Sequence, residues 1–252
     1  MELSNLFNIK DKHILLTGAS GELGQAILED LISGGAIVYA ITSNDLSLKP
    51  LIYKYGDKLK GYSCDLLNKE KTKKVCKEIT DDTNIDIIIN CAGITIDGNI
   101  DEIDSDNFYK VFNLNLFAVY RVIKYLLPSM KKNPNGGVIL NISSALGERA
   151  VPNCIAYSTS KLALIHFSKC LALELAPWKI RVNTISPGYF ISKINEEVFN
   201  GENAKAYIQQ KIPLNRLIDK NELIPLIRLI ISDAGSYMTG ANLVIDGGLS
   251  NW

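Results

Sequence analysis

A single α/β domain built on a doubly wound parallel sheet is the architecture this sequence predicts, and three features carry the prediction. Short β-branched apolar runs alternate with longer amphipathic stretches from Lys12 onward, the runs are apolar on both faces, and no repeat, low-complexity tract or linker divides the chain. With 252 residues, 47% hydrophobic and 21% charged, the chain can bury a full core and is neither disordered nor fibrous in composition.

The first run, His13 to Thr17, leads through a glycine turn into a stretch where Leu23, Ile27, Leu28 and Leu31 recur at helical spacing. Gly34-Gly35 ends that helix, and Ala36 to Ile41 follows as an almost wholly apolar second strand. A βαβ unit is complete. Further runs at Ile85 to Ile89, Gly137 to Ile142, Arg181 to Ile185 and Asn242 to Ile245 are separated by helical segments. Residues 189–212 are polar, mixed and without a strand signal, which predicts a mobile segment covering the substrate within a domain spanning residues 1–252.

Lys plus Arg number 27 and Asp plus Glu 27, so there is no electrostatic footprint for a nucleic-acid backbone or an anionic membrane. The longest uncharged stretch, Asn133 to Gly147, is broken by Gly, Pro and Asn well short of the roughly 18 apolar residues that a membrane span needs. The opening residues lack the basic and apolar regions of a signal peptide, and the five cysteines show no CxxC spacing. A soluble cytoplasmic protein with free thiols is expected.

Thr17-Gly18-Ala19-Ser20-Gly21-Glu22-Leu23-Gly24 lies between strand and helix, where glycines permit a tight turn and let a pyrophosphate approach the helix N-terminus. The alternative is glycines that serve strand-to-helix packing alone. Tyr157 and Lys161 stand one helical turn apart and so share a helix face. A phenol of pKa about 10 is a poor acid or base at neutral pH unless a fixed cation favours its phenolate, and Lys161 is spaced to do that. Ser144 follows the strand ending at Ile142, at the carboxyl edge where such sheets bind ligands. Asn115 falls within the apolar stripe Phe108, Val111, Phe112, Val119 and Val122, and a buried amide must find partners. Taken alone, Ser144 reads equally as a loop hydroxyl and Asn115 as a satisfied core amide.

These motifs, in this order, resemble the short-chain dehydrogenase/reductase family in its compact form, from Lys12 to Gly248. The resemblance includes Cys64-Asp65-Leu66, Asn90-Cys91-Ala92-Gly93, Asn141-Ile142-Ser143-Ser144, Ile180-Arg181-Val182-Asn183 with Pro187-Gly188, and the ending Thr239 to Gly248. It implies a Rossmann-like oxidoreductase that moves a hydride between NAD(P) and a small-molecule carbonyl or secondary alcohol, with Asn115, Ser144, Tyr157 and Lys161 as catalytic tetrad. It further implies cofactor contacts from Gly18, Ser20, Gly21, Leu23 and Gly24 in the turn, and from Thr42 and Ser43 after the second strand. Asp65 and Leu66 would meet the adenine; Asn90, Ala92 and Gly93 the ribose side, with Tyr157 and Lys161. Pro187, Gly188 and Ser192 would meet the nicotinamide. Family members commonly pair their Asn115-type and Tyr157-type helices, so a homodimer or homotetramer is expected, with Phe117, Tyr120 and Leu164 facing the partner.

Two departures stand out. Compact members usually read TGxxxGxG, but the middle glycine position here is Glu22, and Gly21 makes the string TGxxGxxG. A carboxylate aimed at pyrophosphate is repelled, so Glu22 is expected to turn outward while Gly21 takes the close approach. After the second strand, Ile41-Thr42-Ser43-Asn44 has no acid for a ribose 2′-hydroxyl and no base for a 2′-phosphate; the missing acid favours NADP over NAD.

His13 and His166 lack metal-ligand partners at useful spacing, so no metal site is expected. Cys91 reads as a small buried thiol, and Asp101, Glu102, Asp104 and Asp106 as solvated acids at a helix start. Glu148, Arg149 and Asn153 border the tetrad, as substrate selectors or as a structural loop. Two competing functions remain: a sugar-nucleotide epimerase or dehydratase, suggested by TGxxGxxG, and a non-catalytic NAD(P) sensor, which would need neither Tyr157 nor Lys161.

Overall fold

The structure, a computed structural model, describes residues 3–191, 199 and 204–251. The strands are β1 (His13–Thr17), β2 (Ile37–Thr42), β3 (Leu59–Ser63), β4 (Ile87–Asn90), β5 (Gly137–Ile142), β6 (Ile180–Pro187) and β7 (Asn242–Ile245). All pair in parallel in the order β3-β2-β1-β4-β5-β6-β7. Six of these strands lie where apolar runs predict them; β3 does not announce itself.

The helices are α1 (Leu3–Leu6), α2 (Glu22–Ser33), α3 (Asp45–Tyr55), α4 (Lys69–Asp82), α5 (Ser105–Phe112), α6 (Val119–Met130), α7 (Ile155–Leu175), α8 (Ala204–Lys211) and α9 (Ile224–Ile231). Between α5 and α6 the chain stays helical but widens into a π-helical stretch, Asn113–Ala118. Asp104 caps α5, accepting a hydrogen bond from the Asn107 N–H at 2.7 Å, as the acidic run at that helix start predicts.

Alternate residues of each strand feed opposite cores. Ile14, Leu16, Val38, Ile87, Ile89 and Leu140 pack with Leu23, Ile27 and Leu31 of α2 and Ile227 and Ile230 of α9. Leu15, Tyr39, Ile88, Ile139 and Val182 face the other way, onto Val75 and Ile79 of α4, Val122 and Leu126 of α6, and Leu164 of α7. Burial on both faces is what makes the strand sequences continuously apolar.

Leu164 corrects an expectation. It is 1% exposed and belongs to the second core, whereas Phe117 and Tyr120 are 47% and 43% exposed. Helix α7 carries apolar residues all round, so spacing alone does not choose its inward face; Ile155, Leu162 and Leu173 are the exposed large ones. The described part of 189–212 comprises residues 189–191, 199 and 204–212. It contains helix α8, and Tyr189, Ile208 and the buried Ile212 pack with Ala145 and Leu249. Residues 192–198 and 200–203 of that expected covering segment lie outside the described residues.

Candidate active site

The crevice between β1 and β4, where the connections diverge to opposite sides of the sheet, is the place such sheets bind nucleotides. The chain leaves β1 at Gly18, whose φ of +69° suits glycine. A methyl group on Gly18 would lie 2.8 Å from the Ala92 backbone, and one on Gly24 would lie 2.0 Å from the Gly18 carbonyl oxygen. Gly24 is therefore needed for the helix to pack against the turn. Gly21, the N-cap of α2, has extended backbone, and a methyl on it would meet the Gly18 carbonyl oxygen at 3.4 Å, an ordinary contact.

The first bond of the α2 ladder runs from the Gln25 N–H to the Gly21 carbonyl at 2.8 Å, so the N–H groups of Glu22, Leu23 and Gly24 stand ahead of it and can serve an anion. The Glu22 carboxylate lies 3.2 Å from the Lys220 ammonium, a partner that nothing in the local sequence announces.

The opposite wall is the Asn90-to-Gly93 turn. Thr17 Oγ1 accepts from both the Cys91 and the Ala92 N–H at 3.2 Å, tying β1 to this turn. The Asn90 side chain is buried and donates to Asn141 Oδ1 at 2.8 Å, and Asn141 donates in turn to Ser168 Oγ on α7 at 2.8 Å. The amide nitrogen of Asn90 is thereby used, while its Oδ1 is buried without a hydrogen-bond partner at this strand end. Burial pushes the Cys91 thiol up to about 11, as befits a packing residue rather than a nucleophile.

After β2, where the resemblance expects the adenine side of the cofactor, Thr42 is buried with its hydroxyl donated to the Asn44 carbonyl, while Ser43 and Asn44 are exposed at the start of α3. Asn44 caps α3 by accepting from the Ser47 N–H and donates to Ser43 Oγ. Asp65 is exposed and accepts from the Leu67 N–H; Leu66 behind it is buried and its carbonyl is held by Arg121 at 2.9 Å. Pro187 and Gly188 end β6, where a methyl on Gly188 would meet Asp246 Cα at 2.7 Å. A cavity of about 230 Å³ opens beside them, lined by Tyr189, Leu214, Arg216 and Ile218 among others. Ser192 lies outside the described residues.

Ser144, Tyr157 and Lys161 come together. Ser144 follows the end of β5, its hydroxyl oxygen accepting from the Leu146 N–H at 3.1 Å, and it stands beside the Tyr157 phenol from the first turn of α7. Burial raises the phenol above its ordinary value and the neighbouring Ser144 opposes that rise. The Lys161 ammonium, 5.7 Å from the centre of the Tyr157 ring, donates to the Ile142 carbonyl at 2.8 Å. Burial pulls it down to about 8.

Asn115 sits in the π-helical stretch, 1% exposed. Its oxygen accepts from the Ile94 N–H, and its amide donates to the Ile94 carbonyl, both at 2.9 Å. The amide also donates to Ser160 Oγ at 3.0 Å, and Ser160 donates to the Tyr157 carbonyl at 2.7 Å. Ser160 thus links Asn115 to the α7 backbone, a role that sequence reading missed although it lies inside the YxxxK motif. A methyl on Gly93 would stand 3.2 Å from Asn115 Oδ1 and 3.3 Å from Lys161 Nζ. The bare glycine opens a space bordered by both, suited to the hydroxyls of a nucleotide ribose.

Just past β6, Tyr189 belongs to an aromatic cluster. Tyr189 lies 5.3 Å from Phe199 and 6.4 Å from Tyr207, centre to centre. Burial and the neighbouring Tyr207 hydroxyl raise the Tyr189 phenol. Among the described residues, no group of three or more His, Cys, Asp or Glu is placed to hold a metal ion, and no helix is long and apolar enough to cross a membrane.

The chain matches a family model described as enoyl-(acyl carrier protein) reductase over residues 18–250. It belongs to the short-chain dehydrogenase/reductase family. As a member it is an NAD(P)-dependent oxidoreductase, moving a hydride between the nicotinamide and a carbonyl or secondary alcohol. It is 34% identical to the 3-oxoacyl-(acyl-carrier-protein) reductase FabG of Haemophilus influenzae over 96% of this chain and 99% of that protein. It is also 34% identical to the sorbose reductase SOU1 of Candida albicans, over 97% of this chain and 89% of that one. A solved structure described as the Pseudomonas aeruginosa RhlG/NADP active-site complex superposes with a TM-score of 0.91 at 29% identity, covering 99% of this chain and 100% of that one. The short-chain reductase fold therefore runs through the whole described structure.

Proposed function

We propose that this short-chain dehydrogenase/reductase reduces a carbonyl with NADPH, with Tyr157 as the acid, Ser144 and Tyr157 as the donors to the substrate oxygen, Lys161 as the ribose and electrostatic anchor, and Asn115 as the positioning residue. The observation that carries this reading is the half-buried Tyr157 phenol with Ser144 beside it, one helical turn from a buried Lys161 whose ammonium lies 5.7 Å from the centre of the phenol ring.

The bound nicotinamide supplies the hydride. Negative charge develops on the carbonyl oxygen as the hydride arrives, and the preorganised Ser144 and Tyr157 hydroxyls meet that charge without reorganising. Tyr157 then gives its phenolic proton to the oxygen. A phenol that burial keeps neutral is suited to donate, and the Lys161 ammonium favours the phenolate left behind. Asn115 holds the loop after β4 at Ile94 and, through Ser160, the first turn of α7, so that phenol and ribose space keep their separation. Its amide lies beside the path by which a water would return the proton.

NADP is preferred over NAD in this reading. No carboxylate occupies residues 41–44, and the exposed Ser43 and Asn44 at the N-terminus of α3 offer hydroxyl, amide and helix dipole to a 2′-phosphate. The Pseudomonas aeruginosa RhlG structure, a complex with NADP, points the same way. Substrate walls made by Tyr189, Phe199 and Tyr207 suit a carbonyl with an apolar portion. The protein works as a homodimer or homotetramer in the cytoplasm: Phe117 and Tyr120 beside α6 and Leu162 on α7 present apolar side chains to solvent, and all five cysteines are free thiols.

The test is Tyr157→Phe, assayed with a panel of ketones, 3-oxoacyl thioesters and ketoses. Turnover should fall by about 10²- to 10⁴-fold while NADPH affinity stays near wild type. Full turnover in the variant would overturn the assignment of the acid, and wild-type binding of NADPH without turnover of any substrate would favour the sensor reading.

A further inference from the structure

Glu22 is the first residue of α2, so its carboxylate shares the positive end of that helix with any cofactor diphosphate held by the Gly18-to-Gly24 turn. Left bare, it would repel the anion it sits beside. It is not bare. Lys220 reaches it from 198 residues further along the chain, with Nζ 3.2 Å from Glu22 Oε2.

The turn that presents Lys220 is firmly built. Residues Lys220–Leu223 form a 3-10 turn capped by Asp219, with Glu222 returning to the Asp219 N–H in a capping box. Arg216 grips Glu222 with two bonds of 2.6 and 2.8 Å, so that acid, two residues from Lys220, is already paired. Leu223 at the end of the turn is fully buried in the core that holds Leu23 and Ile27 of α2. The two partners of the ion pair are thus carried by elements that share one packed interior, and each keeps about one third of its side chain in solvent, at 32% and 38% exposure.

We propose that Lys220 is a cofactor-affinity determinant that acts through Glu22. Its ammonium covers the carboxylate that replaces a glycine, returns the positive end of α2 to the diphosphate, and makes cofactor affinity depend on the 216–223 segment staying docked against α2. The proposal rests on the assignment of the Gly18-to-Gly24 turn to the cofactor diphosphate.

The experiment is a calorimetric titration of NADPH into four proteins: wild type, Lys220→Gln, Glu22→Gln, and the double variant. Lys220→Gln should weaken binding by about fivefold at low salt, an ordinary size for uncovering a half-exposed charge. Glu22→Gln should bind at least as tightly as wild type. The double variant should return to within about twofold of wild type, and the gap between single variant and wild type should narrow at about 0.5 M salt. Equal affinity of Lys220→Gln and wild type would overturn the proposal. So would equally weak binding by Lys220→Gln and the double variant, because Lys220 would then act on the cofactor directly. A wild type that binds no NADPH would instead overturn the assignment of the turn. Thermal melts of all four should coincide closely, since neither side chain is buried.

Discussion

The Asn115 side chain grips both backbone groups of Ile94, accepting its N–H and donating to its carbonyl at 2.9 Å each. One amide thereby does the work of a neighbouring strand at the point where the chain leaves β4 and passes the ribose space. Asn115→Ala leaves Ile94 and Ser160 without this partner in a buried setting, where each unpaired group costs about 1–3 kcal/mol. A lower melting temperature together with lower kcat is expected. A variant with wild-type melting and wild-type kcat would show that water replaces the amide freely.

Lys161 supplies a pH prediction whose sign can be worked out. Burial lowers its ammonium from the usual 10.5 to about 8 in the free protein, so the folded state binds fewer protons than the unfolded one between those values. Its contribution to stability therefore improves as pH rises through that window and is least favourable below about 8. An anionic cofactor placed beside it favours the charged form. Cofactor binding above pH 8 should therefore take up a proton. Titrations in buffers of different ionisation enthalpy should report this uptake for wild type and lose it for Lys161→Met. Uptake that survives in the variant would assign the proton elsewhere.

The two glycines of the turn should behave differently. Gly24→Ala forces a methyl to within 2.0 Å of the Gly18 carbonyl oxygen, and such overpacking costs about 1–3 kcal/mol. Its melting temperature and its NADPH affinity should both fall. Gly21→Ala meets an ordinary contact of 3.4 Å with extended backbone, so its stability should stay within about 0.5 kcal/mol of wild type. Loss of affinity without loss of stability in Gly21→Ala would mark Gly21 as the point of close approach to the cofactor.

Light scattering at micromolar concentration should give the mass of two or four chains. Introducing charge at Phe117 and Leu162, both exposed, should release monomers while each chain remains folded. A single-chain mass for the wild type would remove these residues from any interface.

Much of this was legible because its signals are local. Tyr157, Ser158, Thr159, Ser160 and Lys161 are contiguous, and one helical turn fixes which of them share a face. The strands were legible where both faces are buried. Strand β3 was not: Leu59-Lys60-Gly61-Tyr62-Ser63 pairs with β2 alone at the sheet edge, and only Leu59 of the five is buried. An edge strand gains its place from its neighbour's backbone and not from an apolar run. Leu164 was misplaced because α7 has no single polar face, and the Lys220 partner of Glu22 was hidden because nothing local couples residues so far apart in the chain.

The π-helical stretch that carries Asn115 has a consequence for the geometry of the whole helical arm. A residue added to an α-helix rotates everything beyond it by about 100°, and a π-type turn absorbs that rotation within itself. Here it lets α5 and α6 keep separate angular settings: Val119, Val122 and Leu126 stay against the sheet while Asn115, a few residues earlier, reaches sideways to Ile94. Deleting one residue from 113–118 would cancel that offset. The arm would then have to choose between its seat on the sheet and its hold on the loop after β4, and the shorter chain should be found well folded with an idle site or catalytically arranged and poorly packed, but not both ordered and active.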